Sequence, residues 1–328
     1  MRSLSDTPAH PTAQLHPLSK VHPSARIGAR TIVEAGAEVQ HGAEIDEDTI
    51  VRKDSFVREG ARIGAGCDIA AFYVGRSARI GDGCKLHPGS SVGDNASIGD
   101  AVHLEAEASV GRNATVRERT TLGPRTWVHA ATTVGGGVTT GKDVRIGDSA
   151  QVGEGASFGN EARVAPNARI GEQTSIGESA QIGMDAGAGV IPAATIGRDC
   201  TLGDEAYVSG SAQIKDKCTL EANARLEHGV VMEPGSTMCA GSKVQHDAVV
   251  REGETIPPST LARADGTQIA RPINIDDYNF RDNEYDREVR IHPGDEPHWV
   301  AENPPPAPAP ASGAARGANG PGHDGPSR

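Results

Sequence analysis

Two histidines, His228 and His246, are the residues whose type and spacing most directly suggest chemistry, because their positions differ by 18. Glu227 precedes the first and Asp247 follows the second. An imidazole titrates near neutral pH, so a histidine held against a substrate can take up and release protons. The pair can act together only if the fold places positions 18 apart side by side. The alternative is that both are solvated histidines at corners of the fold.

A six-residue period governs most of the chain and supplies such a fold. Aliphatic residues recur at every sixth position, with rare exceptions, from Leu15 to Ile69, from Val74 to Ile182 and from Val190 to Ile256. The residue two positions earlier is almost always Ala, Ser, Thr, Cys or Val, and Gly often follows the aliphatic residue, as at Gly28. A small and an apolar residue at this spacing share one face of a strand. Each hexad is therefore predicted to be one short strand, with the glycine serving a bend that needs open dihedral space.

Short strands repeated at a fixed spacing must wind the chain continuously. Three hexads per coil place residue i over residue i+18 at a strand spacing of ~4.8 Å, which gives about 14 coils over roughly 65 Å. The five-residue step after Ile69 and the eight-residue step after Ile182 are predicted to be corner adjustments. His228 and His246 then lie in adjacent coils, close enough for their ionisation to be coupled. His41 has the same offset but belongs to a separate, distant site.

Composition excludes several classes of partner. The chain has 328 residues, with 32 Lys and Arg against 44 Asp and Glu, a formal charge of −12, and no basic stripe that would favour nucleic acid. No apolar run is long enough to span a membrane and none at the N-terminus resembles a secretion signal, so a cytoplasmic location is predicted. Aromatic residues make up only 3%, which suits a narrow interior.

Other apparent motifs are explained by the repeat. His10, His16 and His22 are six apart, so their rings are predicted to point from different faces, and no metal site is predicted. Residues 136–142 have the spacing of a phosphate-binding loop, but Asp143 stands where Ser or Thr would bind magnesium. The five cysteines include no CxxC pair. Four of them are predicted to stack as buried thiols in neighbouring coils: Cys67 with Cys84, and Cys200 with Cys218.

Runs such as residues 168–177, Ala-Arg-Ile-Gly-Glu-Gln-Thr-Ser-Ile-Gly, closely resemble the hexapeptide-repeat proteins. The resemblance covers residues 15–261 and implies an all-β fold, a single-stranded left-handed parallel β-helix shaped as a triangular prism. The left hand comes from the resemblance alone, since the general rule for parallel crossovers favours the opposite hand.

Residues 244–250, Val-Gln-His-Asp-Ala-Val-Val, resemble the segment that carries the catalytic base in sugar-modifying acetyltransferases of this superfamily. The resemblance implies O- or N-acyl transfer from acetyl-CoA or another acyl thioester to a small-molecule acceptor such as an amino sugar. It implies a homotrimer, with His246 as general base and His228 and Asp247 beside it. No residues that bind the coenzyme are identified. The zinc-dependent carbonic anhydrases of the superfamily use histidines five apart, a spacing that is absent here.

The second hypothesis is a non-catalytic rod that serves a structural or partner-binding role. Residues 256–261, Ile-Pro-Pro-Ser-Thr-Leu, resemble the closure found near the coenzyme A groove of many acyltransferases. The Gly-x-Pro-Ala that usually follows is replaced by Ala-Asp-Gly-Thr at residues 264–267. A regular repeat without a long loop thrust out of a coil also favours a rod.

Four regions are predicted along the chain. Residues 1–14 form an N-terminal extension and residues 15–261 the β-helix. Residues 262–303 are an acidic segment that contains four of the ten aromatic residues and could cap the last coil. Residues 304–328 are rich in Pro, Ala and Gly and are predicted to be disordered.

Overall fold

A computed structural model describes residues 9–184 and 193–270, together with the backbone of two short strands, Val289–Ile291 and Val300–Ala301. The described residues form strands and turns, and they include no helix long and apolar enough to cross a membrane. The strands make three parallel sheets that wind around one core. The predicted fold class, an all-β parallel β-helix of triangular cross-section, is confirmed.

Each coil contributes one strand to each of three faces. The first face contains Gln14–Leu15, Ile32–Val33, Ile50–Val51, Asp68–Ile69, Lys85–Leu86, His103–Leu104, Thr121–Leu122, Thr139–Thr140, Ser157–Phe158, Ser175–Ile176, Thr201–Leu202, Thr219–Leu220, Thr237–Met238 and Thr255–Ile256. The second face contains Lys20–Val21, Glu38–Val39, Phe56–Val57, Tyr73–Val74, Ser91–Val92, Ser109–Val110, Trp127–Val128, Arg145–Ile146, Arg163–Val164, Gln181–Ile182, Tyr207–Val208, Arg225–Leu226, Lys243–Val244 and Thr260–Ala262. The third face contains Arg26–Ile27, Glu44–Ile45, Arg62–Ile63, Arg79–Ile80, Ser97–Ile98, Thr115–Val116, Thr133–Val134, Gln151–Val152, Arg169–Ile170, Thr195–Ile196, Gln213–Ile214, Val231–Met232 and Val249–Val250. The fourteen strands of the first face correspond to thirteen turns.

The core consists of columns of like residues. Ile27 pairs with Ile45, and Ile45 with Ile63, each three hexads on and each almost fully buried. The small residue two positions earlier is also buried, as at Ala25 and Ala43. Such stacking fills a narrow interior without aromatic rings, and truncating one buried isoleucine to alanine would cost about 2–5 kcal/mol.

The glycines that follow the aliphatic residues do not serve the dihedral purpose predicted for them. Left-handed φ values instead fall two residues later, on residues such as Arg30 (φ 57°) and Asn95 (φ 57°). A Cβ at Gly28 would lie 2.6 Å from the backbone carbon of Asp46 in the next coil. At Gly147 it would lie 2.5 Å from the nitrogen of Pro166. Close approach of successive coils, rather than an open dihedral, is therefore the reason for glycine at this position.

The two irregular steps differ in kind. After the five-residue step the strands stay paired, Ile69 with Leu86, so one corner is simply a residue shorter, as predicted. After Ile182 the register changes more, because Ile170 pairs with Ile196, well beyond the regular three hexads. The chain therefore takes eight more residues than a regular turn to pass from the second face to the third. The predicted strand position at Val190, and with it the expectation of a repeat free of any longer loop, falls on residues outside the described ones.

Strand pairing is also described beyond both ends of residues 15–261. Ala9 bridges to Ile27 in parallel, one hexad before Leu15. At the other end the strand Thr260–Ala262 pairs antiparallel with Gln268–Ala270, and two further antiparallel strands, Val289–Ile291 and Val300–Ala301, extend the second face. The predicted cap is thus described only in part. The predicted tail, residues 304–328, lies outside the described residues.

Candidate functional site

The candidate site lies on one edge of the prism, where turns lead from the second face to the third; we call this edge the second corner. Its C-terminal turns are residues 209–212, 227–230 and 245–248. His228 and His246 each occupy the first position of a two-residue turn. The next residue is left-handed in both, Gly229 at φ 69° and Asp247 at φ 57°. Glycine and aspartate tolerate this region, so the local sequence suits the turn that holds each histidine.

The structure brings His228 and His246 together in adjacent coils. Their ring centroids are 5.9 Å apart and the rings are stacked at 24°. The backbone N–H of Asp247 donates to the carbonyl of His228 at 2.9 Å, which ties the two turns to each other. The sequence spacing of the two histidines therefore corresponds to a direct contact.

Glu227 is the carboxylate that contacts the pair. Its Oε2 lies 2.9 Å from Nε2 of His246, and its Oε1 lies 2.5 Å from Nζ of Lys243. The Lys243 side chain is only 10% exposed, whereas that of His246 is 63% exposed. A nearly buried ammonium thus holds the inner oxygen of Glu227, while the outer oxygen is left for the exposed imidazole.

This arrangement determines which nitrogen of His246 can act as a base. A carboxylate accepts hydrogen bonds and does not donate them, so Glu227 favours the tautomer of His246 that carries its proton on Nε2. The lone pair is then on Nδ1. A neutral His246 oriented in this way can accept a proton from a bound molecule at Nδ1.

Asp247, the predicted companion of the base, has a different environment. A Cβ placed on Gly229 would meet Oδ1 of Asp247, so this carboxylate lies over the turn of the preceding coil. Within the described part of the chain, no hydrogen bond or ion pair joins Asp247 to either imidazole. Sequence reasoning placed Glu227 near the pair but did not identify it as the contact of His246, and it missed Lys243. The available signal was spacing, since Glu227 precedes His246 by one coil plus one residue.

Ser211 supports His228 from the other side. Its hydroxyl accepts a hydrogen bond from the N–H of Gly229 at 3.1 Å and lies 3.3 Å from Nδ1 of His228. Because the hydroxyl oxygen already accepts, its proton is available to Nδ1. The two imidazoles therefore lie in one contiguous polar network that runs from Ser211 to Lys243.

The eight-residue insertion occurs at this same second corner. It separates Met184, just past the second face, from the strand Thr195–Ile196 of the third face. The hydroxyl of Tyr207 donates a hydrogen bond to the carbonyl of Met184, which fixes the start of the insertion to the next coil. The turn that contains Ser211 follows, and then those of His228 and His246. The helix thus departs from its regular period within two coils of the histidine pair.

A second histidine pair occupies the same corner near the N-terminus. The rings of His22 and His41 are 5.1 Å apart, edge to face, and Nδ1 of His41 lies 3.8 Å from Glu59. His41 is therefore separate from the first pair, as predicted. This pair contacts no buried lysine among the residues that the structure describes.

Other candidates are structural. Cys67, Cys84, Cys200 and Cys218 are buried and unpaired by disulfide bonds, as predicted. A hydrogen bond with Cys67, together with burial, raises the pKa of the Cys84 thiol, which opposes reactivity. Residues 136–142 include the strand Thr139–Thr140 and so do not form a loop around a phosphate. Among the described residues, no group of three or more His, Cys, Asp or Glu could hold a metal ion.

Within the described part of the chain, the His246 side chain is the exposed end of a row of polar groups along one edge of the prism. A cavity of about 550 Å³ lies elsewhere, on the third face beside Arg117, Arg169 and Arg198.

Comparison with known proteins agrees with the repeat. Residues 193–227 match the family model described as the hexapeptide repeat of succinyl-transferase. The matched residues lie within the parallel β-helix, whose strands continue on both sides of them. None of the curated proteins matches the sequence.

Several solved structures are similar over long stretches at low identity. PerB from Caulobacter crescentus, in complex with CoA and GDP-perosamine, is 19% identical over 47% of this chain and 54% of its own, with a TM-score of 0.23. UDP-N-acetylglucosamine acyltransferase from Arabidopsis is 10% identical over 81% of this chain and 74% of its own, with a TM-score of 0.23. The acetyltransferase domain of PglB from Neisseria gonorrhoeae, in complex with acetyl coenzyme A, is 21% identical over 48% of this chain and 55% of its own, with a TM-score of 0.17.

The match to PerB spans about half the length of that protein. At these identities and TM-scores, the substrate of this chain has to be argued from its own residues.

Proposed function

We propose that the protein is a hexapeptide-type acyltransferase that transfers an acyl group from acetyl-CoA or another acyl thioester to a small acceptor, with His246 as general base. The observation that carries the proposal is the contact of Glu227 with both Lys243 and His246. It combines an exposed imidazole, a carboxylate that orients it, and a nearly buried cation that fixes the carboxylate. Activation of an acceptor needs a base, a group that orients the base, and a group that holds the orienting group in place.

The chemistry assigned to this chain is a proton transfer. Nδ1 of His246 takes the proton from the amine or hydroxyl of the acceptor while that nitrogen or oxygen attacks the thioester carbonyl. When the carbon–sulfur bond breaks, the proton passes to the departing thiolate. An amino sugar suits this scheme, because its amine and hydroxyls are poor nucleophiles until a proton is removed.

The fit of a coenzyme A thioester is partial within one chain. Its phosphates need cations, and Arg225, the exposed register neighbour of Lys243 on the second face, supplies one. A groove also needs walls, and the described residues of one chain supply only a row of polar groups along the second corner. We therefore include a homotrimer in the proposal, with a neighbouring subunit completing the site beside His246.

The test is thiol release from acetyl-CoA with a panel of amino sugars and amino acids as acceptors. His246→Ala should abolish turnover and leave the melting temperature nearly unchanged, because the side chain is exposed. His41→Ala is the matched control, since His41 occupies the same corner and also lies near a glutamate. Turnover should survive that change.

The competing hypothesis is a non-catalytic rod, and the altered closure at residues 264–267 favours it. If no acceptor on the panel causes thiol release from acetyl-CoA, and calorimetry detects no binding of coenzyme A, the rod replaces the acyltransferase as the hypothesis for this protein.

A further inference from the structure

The aromatic residues of the described chain are concentrated on one face. Phe56, Tyr73, Trp127 and Tyr207 all point outward from the second face, and Phe72 is exposed at its edge. Among described aromatic residues, Phe158 alone lies in the core. Aliphatic residues fill the interior of the helix without aromatic rings. Core packing therefore does not explain why the aromatic side chains lie on one outer face.

Two of these rings bound a depression. Tyr73, Ser91, Ser109 and Trp127 are consecutive register partners on the second face. Three strand spacings separate the two rings, or ~14 Å. The serines between them are small, and their hydroxyls bond to each other at 2.9 Å. We call this depression, with Tyr73 and Trp127 as walls and Ser91 and Ser109 as floor, the second-face trough.

The outer side of each wall is covered by an arginine. The guanidinium of Arg58, from the coil before Tyr73, lies 5.2 Å from the centre of the Tyr73 ring. The guanidinium of Arg145, from the coil after Trp127, lies 5.6 Å from the centre of the indole. Cations over aromatic faces hold the rings in place. The ring faces left open then look inward across the serines, toward each other.

Polar groups line the rim. The hydroxyl of Tyr73 donates to Oδ1 of Asp94 at 2.6 Å. A cavity of about 290 Å³ beside Trp127 is lined by Glu107, Arg125, Asp143 and Arg145, and Asp143 forms an ion pair with Arg125. Trp127 is 50% exposed, and His129 lies against it with ring centroids 6.3 Å apart. The trough therefore offers two apolar ring faces, hydroxyls on the floor and carboxylates at the edge.

We propose that the second-face trough binds a saccharide of about two sugar units, at a site distinct from the histidine pair. Sugar rings present a face of C–H groups to aromatic rings and hydroxyls at their edges, which matches these walls, floor and rim. A single planar base held between two rings would need only ~7 Å, half the width of the trough. Arg58 and Arg145 lie over the outer ring faces and Arg125 is paired with Asp143, so these cations are already engaged, and the net charge of −12 disfavours a phosphorylated ligand. Six strand steps, or ~29 Å, separate Trp127 from Lys243 on the same face, so the trough does not belong to the histidine site.

The experiment uses the full chain carrying Trp299→Phe, so that Trp127 is the one remaining tryptophan. Cellobiose and N,N′-diacetylchitobiose are titrated, with adenosine as the planar comparator, and binding is followed by Trp127 fluorescence and by calorimetry. At least one disaccharide should bind at millimolar concentrations and change the emission.

Two variants address the trough itself. Trp127→Ala, read by calorimetry, should weaken binding by about tenfold or more, the loss expected for one aromatic stack. Ser109→Arg fills the floor while leaving both wall residues, Tyr73 and Trp127, in the sequence, and it should abolish binding. Phe72→Ala is the matched control, because Phe72 is an exposed ring outside the trough, and it should bind as the parent does. Melting temperatures establish that each variant is folded.

Three results would overturn the proposal. They are no binding of either disaccharide, binding that Trp127→Ala and Ser109→Arg leave unchanged, and binding of adenosine alone. None of them bears on acyl transfer at His246, so the two proposals fail independently.

Discussion

At the level of single residues, Glu227 divides its two oxygens between a buried ammonium and an exposed imidazole. The contact with Lys243 compensates a charge that would be costly to bury alone. It also prevents the carboxylate from turning away from His246. Glu227 is therefore best described as a positioning residue, and Asp247 as part of the turn.

The two carboxylates can be separated by matched isosteric changes. Glu227→Gln should lower kcat by about ten- to a hundredfold, a part of the 10²–10⁴ that a general base contributes, because an amide no longer selects the Nε2–H tautomer. The pH profile of kcat is recorded for the same variant.

Asp247→Asn is the control for that change and should leave both kcat and the profile close to the parent. Equal losses in the two variants would mean that Glu227 does not orient the base. This prediction rests on the proposed acyltransferase activity.

Asp68 makes a pH-dependent contribution to the stability of the fold, and this contribution does not depend on the proposed function. Both its oxygens accept hydrogen bonds from Arg52, each at 2.7 Å, and this hydrogen bonding lowers the pKa of Asp68 despite partial burial. A lowered folded pKa stabilises the fold above the unfolded value of about 3.9, and this contribution is lost as the pH falls through the folded value.

Asp68→Asn should therefore lower the melting temperature near pH 6, and the difference from the parent should vanish toward pH 2. Melting curves across that range check it. A difference that persists at pH 2 would show that the substitution acts through packing and not through the charge.

At the level of the element, the repeat unit is a two-residue strand and a tight turn, and its glycines are governed by coil spacing. Where glycine follows a strand, as at Gly28 and Gly147, the next coil passes directly over it, and a Cβ there would collide with backbone atoms. The left-handed turn position is less demanding, since Arg, Asp, Asn and Ser all occupy it.

These two glycine positions should respond differently to substitution. Gly147→Ala places a methyl group 2.5 Å from the nitrogen of Pro166, and it should reduce the free energy of unfolding by about 3 kcal/mol, the upper range for overpacking. Gly42→Asn should change it by less than about 0.5 kcal/mol. Gly42 has φ 65° with open space around it, and Asn95 already adopts that conformation elsewhere. Urea titration provides both values, and similar losses at the two sites would contradict the steric explanation.

At the level of the whole molecule, the helix is a straight prism whose functional groups lie on its surface. The described residues enclose no cleft around His246, so an acyltransferase of this form depends on its neighbours for walls. The exposed aromatic side chains lie on the second face, which adjoins the corner that carries the histidines.

The oligomeric state is therefore the property of the whole molecule that most directly tests the proposed function. Sedimentation equilibrium should give three times the chain mass of 34.0 kDa, because a trimer lets the edge of one subunit complete the site of the next. A monomer at micromolar concentration would favour the rod.

The sequence by itself determined the fold class, the direction of the strands, the column positions and the contact between His228 and His246. All of these follow from a period of six with three strands per coil, because a strict period places every neighbour three hexads away. The tertiary structure alone decided which carboxylate reaches His246, since that depends on side-chain direction at a corner and on the burial of Lys243. It also decided where the extra residues after Ile182 lie, because the register across them appears only when the coils on either side are paired. The second-face trough likewise depends on residues that are distant in sequence but become neighbours only through winding.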